Sequence, residues 1–260
     1  SWEDIFLIDV ATGTGTKVSD VSWTDSSQQA RSPANSAATS PGLSLDGQFM
    51  AFSVGDNGAV AWRNFAEPTN RIIAQSSLQP VAAPAMSPDG SLLACTLSSS
   101  PFGIWDNNNR TDVLLYATRR AHSIFPSYPI QNPVVVSGLP GTQSTGDGAS
   151  LRPQFSPDGN WLVFLSSAHN LIAEYQLPAL LVPENTQLYA RRVGCDDAGC
   201  LSNLVFSPAI FLGPTHLVSH DRVDGFTHDV GWAGGATNAV FSGDSRRVAF
   251  ETFGHQVFRH

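Results

Sequence analysis

The stretch FSPDGNWLVFL, residues 155–165, decides the fold. Serine, proline, aspartate and glycine stand in five residues ahead of an apolar run that begins at Trp161. This is the chemistry of a tight turn feeding a strand. Serine opens the turn, proline presets φ, aspartate caps it, and glycine takes the position with φ > 0.

Three further segments align with it without gaps: LSLDGQFMAFS at 43–53, MSPDGSLLACT at 86–96 and FSGDSRRVAFE at 241–251. Their aspartates, Asp46, Asp89, Asp158 and Asp244, are separated by 43, 69 and 86 residues. The first interval reads as one unit, the second as a unit with an insertion, and the third as two units. A period near 43 residues with several short strands per unit is the signature of a propeller blade.

The motif resembles the PD40, or WD40-like, repeat of TolB-type β-propellers. The resemblance extends to DIFLIDVATGTGTKVS (4–19), which looks like the third and fourth strands of a blade joined at ATG. It implies an all-β chain: one β-propeller domain over 1–260, with about six four-stranded blades and a ring closed by strands from both termini. Closure would leave no sheet edge unpaired. Two polar or proline-rich stretches, at about 20–41 and 118–152, exceed what a blade connection needs.

Composition agrees with a β-rich chain. Charged residues are only 14%, and the 14 basic residues comprise 13 Arg and Lys17 alone. The acids split as 17 Asp and 5 Glu, favouring turns over helix faces. Few Lys is also the bias of surfaces that make contacts. A formal net charge of -8 argues against nucleic acid as a partner, and no apolar run is long enough for membrane insertion. The first residues show no basic n-region and no apolar h-region, so a signal peptide is expected to have been removed from this chain.

Cys195 and Cys200 bracket CDDAGC between two strand-like stretches. A disulfide clamping a hairpin end is the natural reading, implying a secreted, extracellular or periplasmic setting; two reduced thiols are the alternative. Cys95, inside SLLACTL, reads as a buried thiol.

Catalytic signatures are missing from the sequence. ATGTGTK (11–17) has neither P-loop nor Rossmann spacing, and there is no G-x-S-x-G or H-E-x-x-H. His216 and His220, with Asp221, His228 and Asp229, offer either a transition-metal site or ordinary blade-surface histidines.

The loop DNNNRTD, 106–112, is the strongest ligand candidate. In secreted relatives of this repeat, the same connection reads Asp-x-Asn-Gly-x-x-Asp ahead of an apolar strand, and the resemblance implies a calcium loop. Asp106, Asn108 and Asp112 match its oxygen-bearing positions, and Asn109 stands where glycine is usual. The chemistry is independently suitable, since Ca²⁺ takes six to eight hard oxygens. A solvated turn whose asparagines bond their own backbone is the competing reading.

The expected function is a non-enzymatic, secreted structural module that self-assembles as an oligomer or polymer, with calcium-stiffened loops. A protein-binding platform of the TolB kind is the alternative. A hydrolase or lyase acting in the propeller channel is the third reading.

Overall fold

The computed structural model describes residues 3–19, 23–24, 30–31, 38–54, 59–66, 70–75, 82–98, 106, 108–118, 133–172, 186–195, 210–219, 221–223, 226–228 and 236–252. Among these residues there are strands and turns and no α-helix. β1 (Phe6–Ile8) pairs antiparallel with β2 (Gly15–Lys17), and β3 (Trp23–Thr24) with β4 (Ala30–Arg31). The first full sheet follows: β5 (Ala38–Leu43), β6 (Phe49–Val54), β7 (Ala59–Asn64) and β8 (Asn70–Gln75). The second comprises β9 (Ala82–Met86), β10 (Leu92–Leu97), β11 (Asp112–Ala117) and β12 (Val134–Val135). The third comprises β13 (Ser150–Phe155), β14 (Trp161–Ser166), β15 (Gln187–Cys195) and β16 (Ile210–Leu217). The short pair β17 (Asp221–Val223) and β18 (Phe226–His228) precedes β19 (Ala236–Phe241) and β20 (Val248–Thr252).

Each full sheet is a four-strand antiparallel meander in chain order, which is the construction of a propeller blade. Successive side chains of a strand point to opposite faces, so a middle strand with neighbours on both sides must be apolar throughout. β10 shows this directly. Leu93, Cys95 and Leu97 pack with Trp62 and Val60 of the first sheet, while Leu92 and Ala94 pack with Phe155 and Phe164 of the third. The hairpin β1–β2 contributes Ile5 and Val18 to the outer face of the first sheet. Ala236, Val248 and Phe250 of β19–β20 cover Val163 and Leu188 of the third. The sheets therefore stack face to face in chain order, with the first strands β5, β9 and β13 packed successively against one another.

The interval from Asp158 to Asp244 was expected to hold two units. Among the described residues it holds one full sheet and the short β17–β18 pair, and β19 packs straight onto β14 and β15. The described residues form three four-stranded sheets and four two-stranded ones; β1–β2 and β19–β20 remain separate sheets. Within the stretch expected as an excursion over 118–152, residues 133–150 carry β12 and bury Val135, Val136 and Ser137.

Candidate functional site

The four motif turns share one geometry. The serine hydroxyl donates to the aspartate Oδ1: Ser44 to Asp46 at 2.6 Å, Ser87 to Asp89 at 2.7 Å, Ser156 to Asp158 at 2.5 Å and Ser242 to Asp244 at 2.5 Å. The same serine oxygen accepts the N–H five residues on, from Phe49, Leu92, Trp161 and Arg247. Gly47, Gly90 and Gly159 take φ of 70°, 69° and 75°, and Ser245 takes 61° in the fourth copy. The Ser44 hydroxyl holds the Asp46 carboxyl below the usual carboxylate range, aided by the Gln48 N–H; Ser242 and the Arg246 N–H do the same for Asp244.

Ahead of each turn the first strand is irregular. The ladder slips between Thr39 and Gly42, Leu151 and Gln154, and Thr237 and Val240, and β9 slips opposite Ala94 and Thr96. Ser40, Arg152 and Asn238 occupy these bulges with φ of 54°, 53° and 47°. Each stands six residues before its motif aspartate. Proline follows as Pro41, Pro84 and Pro153, with Ala239 in the fourth copy. Bulges of this kind turn side chains out of the ladder and gather next to sites.

The bulges converge. A cavity of about 310 Å³ is lined by Ser40 and Pro41 of β5, Pro84 of β9, Arg152 of β13 and Asn238 of β19. It lies where first strands of successive repeats meet, the position of a propeller's central channel. Arg152 Nη1 donates to Asn238 Oδ1 at 2.9 Å, and Asn238 Nδ2 donates to Glu251 Oε2 at 2.7 Å.

The loop 106–112 lies apart from this mouth. Asp106 Oδ1 accepts the N–H groups of Asn108 and Asn109 at 2.9 and 2.8 Å, and Asn109 is left-handed with φ of 53°. Asn108 Oδ1 accepts the Arg110 N–H, while its Nδ2 reaches the carbonyls of Gly146 and Gly148 ahead of β13. Asp112 is buried, and its Oδ1 accepts the Ser137 hydroxyl at 2.9 Å. Burial pushes its carboxyl up to about 7 against that hydrogen bond, and the Asp106 charge adds to the rise. Asp106, Asn108 and Asp112 are thus brought into one loop.

The fit to a cation is incomplete. Two carboxylates close enough to repel suit a divalent ion, whereas Asn108 Oδ1 is occupied by main chain. Among the described residues no three His, Cys, Asp or Glu side chains gather as a metal cluster. His216 sits on β16 with its ring 5.8 Å from that of Trp161. His220 and Asp229 lie outside the described residues, as do Cys200 and the side chain of Cys195. Cys95 is a free, buried thiol.

The four-stranded meanders and their S-x-D turns have the build of β-propeller blades. Among solved structures, the chain is similar to the tricorn protease, at 13% identity and a TM-score of 0.47, over 73% of this chain and 15% of that one. It is similar to TolB from Acinetobacter baumannii, at 13% identity and 0.45, over 95% of this chain and 46% of that one. It is similar as well to oligogalacturonate lyase from Vibrio parahaemolyticus, at 14% identity and 0.31, over 53% of this chain and 36% of that one. The chain thus spans less than half the length of each. No family model and no curated protein sequence matches it.

Proposed function

We propose that the chain is a non-enzymatic β-propeller that presents a docking surface to another protein, centred on the channel mouth. The observation that carries this reading is the mouth itself, where three left-handed residues, from the first, third and fourth repeats, face one cavity. Backbone strain held at a shared opening is a mark of function rather than of packing. The described lining offers hydrogen-bonding groups and apolar surface, and includes no acid, histidine or cysteine. Such a lining binds, but lacks the base that would activate Ser40 for chemistry. An exported setting goes with this reading. The experiment is capture of a partner from an extract of the source organism by the purified chain and by Gln154→Trp, which fills the mouth. Loss of capture in the variant is expected; undiminished capture, or turnover of peptide or oligosaccharide substrates, overturns the reading.

A second reading, self-association, is favoured by β1. Leu7 packs inward, while Phe6 and Ile8 are each 59% exposed on the other face of this short strand. Pairing with β19–β20 of the same chain would close the ring, and pairing with a second copy would build an oligomer or polymer. Sedimentation across a concentration series separates these outcomes, and Phe6→Ser with Ile8→Ser should abolish any association.

Calcium at the 106–112 loop belongs to the same proposal. Asp106 and Asp112 would hold the ion, which would supply charge neutralisation and a stiffer link between the second and third sheets.

A further inference from the structure

Building on the docking reading, we infer that the channel mouth is a carboxylate-binding site, in which Arg152, oriented by Asn238, receives an acidic group of the partner. That group is either a chain terminus or an acidic side chain; the chemistry recognised is the same.

Three observations carry this. First, Arg152 is exposed at the cavity and donates through Nη1 to Asn238. A guanidinium has five donors in a planar fork, suited to a bidentate carboxylate. Among the described residues, ion pairs join Lys17 to Asp4 and His169 to Asp147, and none involves Arg152. Second, the Asn238 carboxamide is fixed in direction. Its Nδ2 donates to Glu251 Oε2, which also accepts the Thr237 hydroxyl at 3.2 Å, so Asn238 Oδ1 faces Arg152. Glu251 is thereby engaged with Asn238 and Thr237. Third, Arg152 and Asn238 hold the same bulge position in successive repeats, so the pair is built by the register of two sheets.

The remaining wall selects the rest of the ligand. Pro41 gives exposed apolar surface beside the cation, with Pro84, Pro153 and Leu165 largely buried beneath it. The occupant is therefore an apolar segment bearing one placed carboxylate. A net charge of -8 disfavours acidic polymers in general, so a single cation selects by position.

The test uses the full chain with ¹⁵N-labelled arginine and three probes: acetyl-Leu-Pro-Leu as free acid, the same peptide as C-terminal amide, and acetyl-Leu-Glu-Leu-amide. The Arg152 Nε–H resonance is assigned by its loss in Arg152→Gln. The free acid or the Glu peptide is expected to bind about tenfold more tightly than the neutral amide. Arg152→Gln should remove that preference without shifting the melting temperature, and Arg152→Lys should keep part of it. Equal binding of acid and amide, no binding of any peptide, or an acid preference that survives Arg152→Gln would each overturn the inference. The two probes of the acid separate terminus from side chain. If Arg152→Gln still captures the partner while Gln154→Trp does not, this inference falls and the docking reading stands. If the acid preference holds while Gln154→Trp captures normally, the docking reading falls and the carboxylate site stands.

Discussion

The ring of Phe49 lies against Gly90: a Cβ built on that glycine would stand 2.1 Å from Phe49 Cδ2. Phe49 in turn stacks on the buried Trp62, with ring centroids 5.8 Å apart, so it has little room to withdraw. Gly47, with nearly the same φ, meets nothing within 4 Å. The two glycines separate backbone strain from packing. Gly47→Ala should cost about 1–2 kcal/mol, the left-handed penalty alone. Gly90→Ala should add about 1–3 kcal/mol for overpacking. Urea unfolding of both variants checks the difference.

Arg191 is a buried cation that joins two sheets. Its Nη1 donates to Val136 O at 2.7 Å and its Nε to Gly213 O at 2.8 Å. Burial lowers its pKa. Arg191→Ala strips both carbonyls of their donor, and the expected cost is about 2–5 kcal/mol, combining lost hydrogen bonds and lost packing. Arg191→Lys offers a single point donor and should recover only part. Thermal melting of the three proteins reads this out.

Asp112 sets a pH dependence of uncommon sign. Its folded carboxyl, at about 7, lies above the unfolded value near 3.8. The folded state therefore keeps a proton that the unfolded chain gives up as pH rises. The Asp112 contribution to stability should be full below pH about 4, fall between about 4 and 7, and level off above. The total loss is on the order of 4 kcal/mol from the two values. Denaturation in chelator at pH 5 and pH 8 should show the fall in the native chain and lose it in Asp112→Asn.

Calcium should reverse that loss. An ion held by Asp106 and Asp112 replaces a repulsion with two attractions and binds only the deprotonated loop, so affinity should rise with pH through 7. Calcium titration by calorimetry should give one site in the native chain and none in Asp106→Asn. Identical melting with calcium and with chelator at pH 8 would remove the ion from the account.

The turns were legible because their chemistry is local: serine, aspartate and glycine within five residues fix every bond described at Asp46, Asp89 and Asp158. The bulges were not, because Ser40, Arg152 and Asn238 share a backbone conformation and no side-chain chemistry. Their trace is faint, a residue followed by proline six and five places before the aspartate. The site loop was legible as a set of oxygens, but not its tie to Gly146 and Gly148, which are 38 and 40 residues beyond Asn108.

The main-chain N–H of Leu45 donates to Pro88 O at 2.8 Å, joining one repeat's turn to the next. At the matching place Pro88 and Pro157 have no N–H to give. The repeats are thus unequal by one atom, and Leu45 makes a link that the two proline copies cannot. Regularising Leu45 to proline would make the alignment tidier and cut that seam.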